Sequence, residues 1–313
     1  MKALPTLRQL TFLVALADRR HFARAADACL VSQSTLSAAI QELETTLGVA
    51  LFDRNRRSVT PTTIGVEIIA RARALLKDAG DMIDAALAAR APMSGPLRLG
   101  VIPTVGPFLL PRVLPRLRQV APDLKVYLRE EQTAALIERM AGGLVDAAIL
   151  ALPISLDNVE IETVADDAFL VVCRRDHRFA NLSAIHPSDM AAEDLLLLED
   201  GHCMRDHALA ACALEGARRN VAFQGTSLLT LVQMVANGVG LTLVPKIAIE
   251  AGILRGLDLH VAKLEGDAPH RQIALAWRRT SGLKDTFDRL ATILREAMED
   301  PQVSAGNADE RIL

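Results

Sequence analysis

Two cysteines in the second half of the chain stand in surroundings that could make a thiol reactive. Cys203 lies in Gly201-His202-Cys203-Met204-Arg205-Asp206-His207, and Cys212 follows nine positions later in an alanine-rich stretch. The nucleophile in thiol chemistry is the thiolate. A strand ending at Leu198 that hands over to a helix would place Cys203 near a helix N-terminus, where the peptide dipoles favour negative charge. His202, Arg205 and His207 add donors or positive charge, whereas Glu199 and Asp200 act in the opposite sense. A thiolate so placed can attack peroxide oxygen to give a sulfenic acid, with which a second thiol can condense. Two plainer readings compete. A cysteine at an alanine-rich helical position is usually a small buried hydrophobe, which suits Cys212, and also Cys29 and Cys173 in their apolar surroundings. His202, Cys203, His207 and Cys212 could instead hold a metal, but their spacing does not match the usual zinc pairs. No metal or other cofactor is expected.

The elements that must position these residues follow from the rest of the chain. It has 313 residues, 50% hydrophobic, 23% charged and 3% aromatic. That length suits about two domains and a sizeable core. With 35 basic against 38 acidic residues the net charge is -3, which excludes a uniformly basic nucleic-acid coat. So few aromatics argue against single-strand binding by stacking, and four cysteines are too few for a disulfide scaffold. Charge is uneven, however: residues 1–90 carry 12 basic and 9 acidic side chains, a net of +3, and the remainder nets -6. A basic head on an acidic body points to a polyanion met by the head alone. The apolar run Leu10–Ala17 is too short for a signal or membrane segment and has helical spacing. No membrane association is expected, and a cytoplasmic location follows, where thiols are kept reduced.

Periodicity predicts helices at Leu7–Ala17, Phe22–Ala28 and Gln33–Leu47, the last capped by Ser32 and ended by Gly48. Leu36, Ile40, Leu43 and Leu47 form its buried stripe, leaving Gln33, Ser34, Thr35, Ser37 and Gln41 on the other face. Leu51–Thr60 reads as a hairpin with Arg54, Arg56 and Arg57 at its tip. Thr62 or Thr63 can cap a helix reaching Arg90, about 40 Å long, which exceeds the needs of a compact head and suits a linker that pairs with another subunit. Pro92, Gly95 and Pro96 break it. From Leu97 strands and helices alternate, predicting an α/β fold with a largely parallel sheet in two small lobes around a cleft. The expected divisions are 1–62 for the head, 63–92 for the linker helix and 93–300 for the two-lobed domain. Within it, lobe I takes about 93–166 and 270–300, and lobe II about 167–269. A polar tail, 301–313, is expected to be disordered.

A helix–turn–helix reads the major groove with side chains at the start of its second helix, where Ser, Thr and Gln both donate and accept, and arginines of a wing hold phosphates. Residues 25–54, AADACLVSQSTLSAAIQELETTLGVALFDR, closely resemble the winged helix–turn–helix of the LysR-type transcriptional regulators. Ser34 departs from the proline many members carry. The long helix resembles that family's dimerisation helix. The resemblance implies a regulator that is not an enzyme. It would be a homodimer or homotetramer on partly palindromic promoter double-stranded DNA, working with RNA polymerase, with a periplasmic-binding-protein-like effector domain. Ser32, Gln33, Ser34, Thr35, Ser37, Gln41, Arg54, Arg56 and Arg57 would face the DNA.

Within that family the chain is similar to peroxide-responsive members over essentially residues 5–298. The likeness is carried by GVIPTVGPFLLP at Gly100–Pro111, by Gln132-Thr133, by Leu198-Glu199-Asp200 and by GHCMRDHALAAC at Gly201–Cys212. It implies that hydrogen peroxide is the signal, Cys203 the peroxidatic and Cys212 the resolving thiol. Thr104, Thr133, His202, Asp206 and Arg271 would bind or assist, and the disulfide, reversed by cellular thiol reductants, would switch on antioxidant genes. On one intact helix the two cysteines would lie ~13.5 Å apart along the axis. A disulfide needs Cα atoms within roughly 4.4–6.8 Å, so oxidation would have to unwind the segment, a bistable element. Ala222 stands where some relatives carry histidine. Thr104 also reads as a plain turn residue, Asp206 as a helix first-turn acid and Arg271 as a surface strand charge. Two other functions compete: a LysR-type regulator that binds a small anionic metabolite in the cleft, and a thiol peroxidase, against which stand the missing CxxC and recycling module.

Overall fold

The computed structural model describes residues 4–299 except 56–57, 155–157, 200–203, 205–224, 226 and 266–269. The chain divides into two compact units, Met1–Ala89 with Ala141–Leu144, and Arg90–Met140 with Val145–Leu313. The redox-segment residues His202, Cys203, Asp206, His207 and Cys212, the wing residues Arg56 and Arg57, Ala222 and the tail 301–313 lie outside the described residues.

In the first unit, α1 (Leu7–Arg19), α2 (Phe22–Ala28) and α3 (Gln33–Leu47) are followed by a hairpin of β1 (Phe52–Asn55) and β2 (Ser58–Pro61), then by α4 (Thr63–Arg90). Local chemistry sets these limits. Thr6 and Gln9 make a reciprocal capping box on α1. Gly48 closes α3 in the left-handed region, φ 73°, where a Cβ would be strained. Thr62 Oγ1 accepts from the Gly65 amide at 3.0 Å and donates to the Ala50 carbonyl at 2.9 Å, starting α4. Leu13, Leu16, Leu36, Ile40, Leu43 and Leu51 are fully buried together. Glu44 Oε1 accepts from the Leu51 amide at 2.8 Å, which fixes the hairpin to α3.

The second unit opens with β3 (Gly95–Val101), α5 (Gly106–Val120), β4 (Leu124–Glu130), α6 (Thr133–Ala141) and β5 (Ala147–Leu152). It continues with β6 (Val159–Arg174), β7 (Ala184–Ile185), a 3-10 turn at Pro187–Ala192, α7 (Leu228–Ala236), β8 (Thr242–Pro245), α8 (Lys246–Glu250), β9 (Leu259–Leu264), β10 (His270–Arg278) and α9 (Lys284–Glu299). The strand order is β4-β3-β5-β10-β6-β9-β7, with β8 also on β6. β3 pairs parallel with β4 and β5, as strand–helix–strand units require.

The expectation of a largely parallel sheet fails. β10 is antiparallel to both neighbours, and β6 is antiparallel to β8 and β9. Alternation along the chain reports only sequential neighbours, whereas β10 arrives from the far end and inserts between β5 and β6. The strand expected at Leu195–Leu198 is reduced to isolated bridges from Leu195 to Leu241 and from Leu198 to Gly225. Two apolar clusters form, one under β3, β5, β10, α5 and α9, the other under the later part of β6 with α7 and β8. β6 serves both: up to Ala168 it pairs with β10, and from Phe169 with β8 and β9.

Candidate functional site

The start of α3 carries the first group of candidates. Ser32 Oγ accepts from the Thr35 amide at 3.1 Å and lies 2.9 Å from Ser34 Oγ and 2.7 Å from Thr35 Oγ1. Ser32 therefore holds the helix end in place and links the hydroxyls beside it. Gln33, Ser34, Thr35 and Gln41 are exposed and Ser37 is half-buried. No acid occupies the first turn of α3, so the positive end of its dipole is left uncancelled, as a phosphate neighbour requires. Arg54 is on β1.

The second group lies in the other unit. Thr104 sits between β3 and α5, and Thr133 opens α6 directly after β4. Because β3 and β4 are parallel neighbours in register, Val101 opposite Glu130, both threonines lie at the carboxyl ends of adjacent strands. That is where open α/β sheets bind ligands. Thr104 is 2% and Thr133 9% exposed. Thr133 Oγ1 has no hydrogen-bond partner among the described residues. Buried hydroxyls are nearly always bonded, so this one is available to a polar partner beyond the described residues.

Thr104 is held from behind by Arg271. The Arg271 Nη1 donates to Thr104 Oγ1 at 2.7 Å and Nη2 to the Thr104 carbonyl at 3.0 Å. Nε and Nη2 also donate to Asp167 Oδ2, at 3.0 and 2.9 Å. Asp167 Oδ1 accepts from the Ile247 amide in α8 at 3.0 Å. The guanidinium carbon stands 5.8 Å from the Phe169 ring centre. Arg271 and Asp167 are both sealed from solvent. The reading of Arg271 as a surface strand charge is thus overturned: a charged side chain at the start of a late strand looked exposed, but β10 lies between β5 and β6. Thr104 is a turn residue and a buried one at once.

Among the described residues, the charges around the threonines nearly cancel. Arg271 is matched by Asp167. A Cβ at Gly106 would lie 2.9 Å from Glu130 Oε2, so a carboxylate already stands against the start of α5. Next to it, the Arg139 guanidinium holds the Glu131 carboxyl below the usual carboxylate range, against an opposing effect of burial and with further help from Arg129. The surroundings suit a small neutral ligand that both donates and accepts hydrogen bonds.

Of the remaining cysteines, Cys173 is fully buried, and burial first, then Glu193 and Asp176, pushes its thiol up to about 11. Cys29 is half-buried at the end of α2. Sequence reasoning missed Asp167. The signal was present: Asp166-Asp167 are consecutive acids in an apolar strand, and period-two alternation must turn one of them inward.

Comparison with known proteins assigns the class. Residues 7–66 match the bacterial regulatory helix-turn-helix protein, lysR family, and residues 90–299 match the LysR substrate binding domain. The chain belongs to the LysR family and is a DNA-binding transcriptional regulator, not an enzyme. It is 39% identical over 295 residues to the HTH-type transcriptional regulator EstR of Acinetobacter baylyi, covering 94% of this chain and 98% of that one. It is 41% identical over 293 residues to the DNA-binding transcriptional dual regulator OxyR of Escherichia coli K12, covering 94% and 96%. Among solved structures it resembles an H2O2-bound OxyR variant from Corynebacterium glutamicum, with TM-score 0.67, 33% identity and coverage of 99% and 98%. Among the described residues no helix is long and apolar enough to cross a membrane.

Proposed function

We propose that the chain is a peroxide-sensing LysR-type regulator. Thr104 and Thr133 hold H2O2 for attack by Cys203, with His202 and Asp206 assisting. The Cys203 thiolate attacks one peroxide oxygen. The O–O bond breaks, the sulfur becomes a sulfenic acid, and the departing hydroxide takes a proton to leave as water. The Cys212 thiol then displaces that oxygen as a second water and closes a disulfide. The new bond reshapes the regulatory domain of a homodimer or homotetramer and changes how its heads sit on promoter DNA, favouring RNA polymerase at antioxidant genes. Thiol reductants of the cytoplasm reset it.

The observation that carries this reading is the pair of buried hydroxyls, one without a partner among the described residues and one anchored by Arg271, whose charge is matched by Asp167. Near-equal identity to EstR and OxyR means that identity alone does not choose the signal. The Asp167 and Glu130 carboxylates weigh against an anionic metabolite, for which Arg271 would have to be unmatched. The test is a stoichiometric H2O2 pulse followed by mass spectrometry. A Cys203–Cys212 bond is expected; both thiols free with DNA binding unchanged would overturn the reading.

A further inference from the structure

We propose that Asp167 is a positioning residue for peroxide recognition, acting through Arg271 on the Thr104 hydroxyl. The inference rests on the peroxide reading above.

A threonine hydroxyl has one proton and two lone pairs. At Thr104 one lone pair is taken by Arg271 Nη1 at 2.7 Å, and the hydroxyl proton has no acceptor among the described residues. With a cation donating to its oxygen, the Thr104 hydroxyl keeps its own proton to donate. Its orientation depends on a guanidinium in one fixed pose, and that pose is set by Asp167. Nε and Nη2, one edge of the guanidinium, donate to Asp167 Oδ2, while Nη1 and the second proton of Nη2 go to Thr104. A planar fork fixed along one edge fixes the other. Asp167 is fixed in turn, because its second oxygen accepts from the Ile247 amide. Both carboxylate oxygens are used, none of the pair is open to solvent, and neither partner needs to touch peroxide.

The relay predicts a pattern that a general loss of packing would not give. Full-length protein is prepared unaltered and as Thr104→Val, Asp167→Asn and the double variant. Each is mixed with H2O2, quenched, and followed at the Cys203 peptide by mass spectrometry. Alkylation of Cys203 by iodoacetamide, which does not need Thr104, is timed in parallel. Asp167→Asn should slow oxidation by about tenfold, the scale of one hydrogen bond to a charged group. Thr104→Val should slow it similarly, the double variant should be no slower than either single one, and alkylation should be unchanged throughout. Normal oxidation in Asp167→Asn, multiplied effects in the double variant, or equal slowing of alkylation would each overturn the proposal. If Asp167→Asn does not fold, Arg271→Lys replaces it. It leaves Asp167 a cation but cannot reach both Thr104 oxygens, and unslowed oxidation there overturns the relay. Should Thr104→Val itself oxidise normally, the peroxide pocket falls and this inference with it. Slow Thr104→Val with normal Asp167→Asn removes the inference alone.

Discussion

Asp167 and Arg271 face each other directly across β6 and β10, 104 positions apart in the chain and both closed to solvent. Two charges taken out of water are tolerable only as a pair, so the pair is an obligate unit. Asp167→Ala alone should lower unfolding stability by about 3–5 kcal/mol in urea titration, because it leaves a buried guanidinium unmatched. Replacing both with apolar residues, Asp167→Leu with Arg271→Met, should recover much of that loss while leaving peroxide oxidation slow. A double variant as unstable as the single one would show that the pair does not act as a unit.

The head makes a separable prediction. Ser32→Ala removes the cap on α3 and should cost about 1 kcal/mol of thermal stability, with weaker binding to every DNA sequence. Gln33→Ala should leave stability unchanged and reduce discrimination between base pairs by about 1–3 kcal/mol in fluorescence anisotropy with mismatched sites. If Gln33→Ala weakens all sequences equally, that side chain holds backbone and does not read bases.

Arg54→Ala tests the wing. Loss of one phosphate contact should weaken binding uniformly and lower the slope of log affinity against log salt by about one. An unchanged slope would take Arg54 off the DNA.

Cys173 supplies a pH prediction and an internal control. Its thiol is raised to about 11 against an ordinary 9.0. The folded state therefore holds its proton where the unfolded chain would release it. The resulting stability is fully present below pH 9 and is lost as pH rises towards 11. Native protein at pH 7.5 should keep Cys173 unmodified by iodoacetamide and by H2O2, and unfolded protein should not. Oxidised Cys173 in the folded protein would contradict its placement in the core.

Much of the head was legible in the sequence because its signals are local. Ser32, Gly48 and Thr62 mark helix ends by their own hydrogen-bonding or conformational preferences, and α4 runs over the 28 residues that periodicity had outlined. Thr104 and Thr133 were named from resemblance, and their positions at neighbouring strand ends follow from parallel pairing. What stayed hidden is non-local. Nothing near Arg271 announces that β10 inserts between β5 and β6, nor that β6 spans both apolar clusters as one strand of 16 residues. The partner of Arg271 lies on that strand, so its burial could not be read without the topology. Asp167 could have been suspected from the paired acids, but not matched to its cation.

The central claim is that oxidation at Cys203 changes how the regulator grips DNA. Footprinting on a target promoter, reduced against peroxide-treated, with Cys203→Ser alongside, tests it most directly. The account expects the protected length to change on oxidation and to stay at the reduced length in Cys203→Ser. Identical footprints before and after peroxide would contradict it.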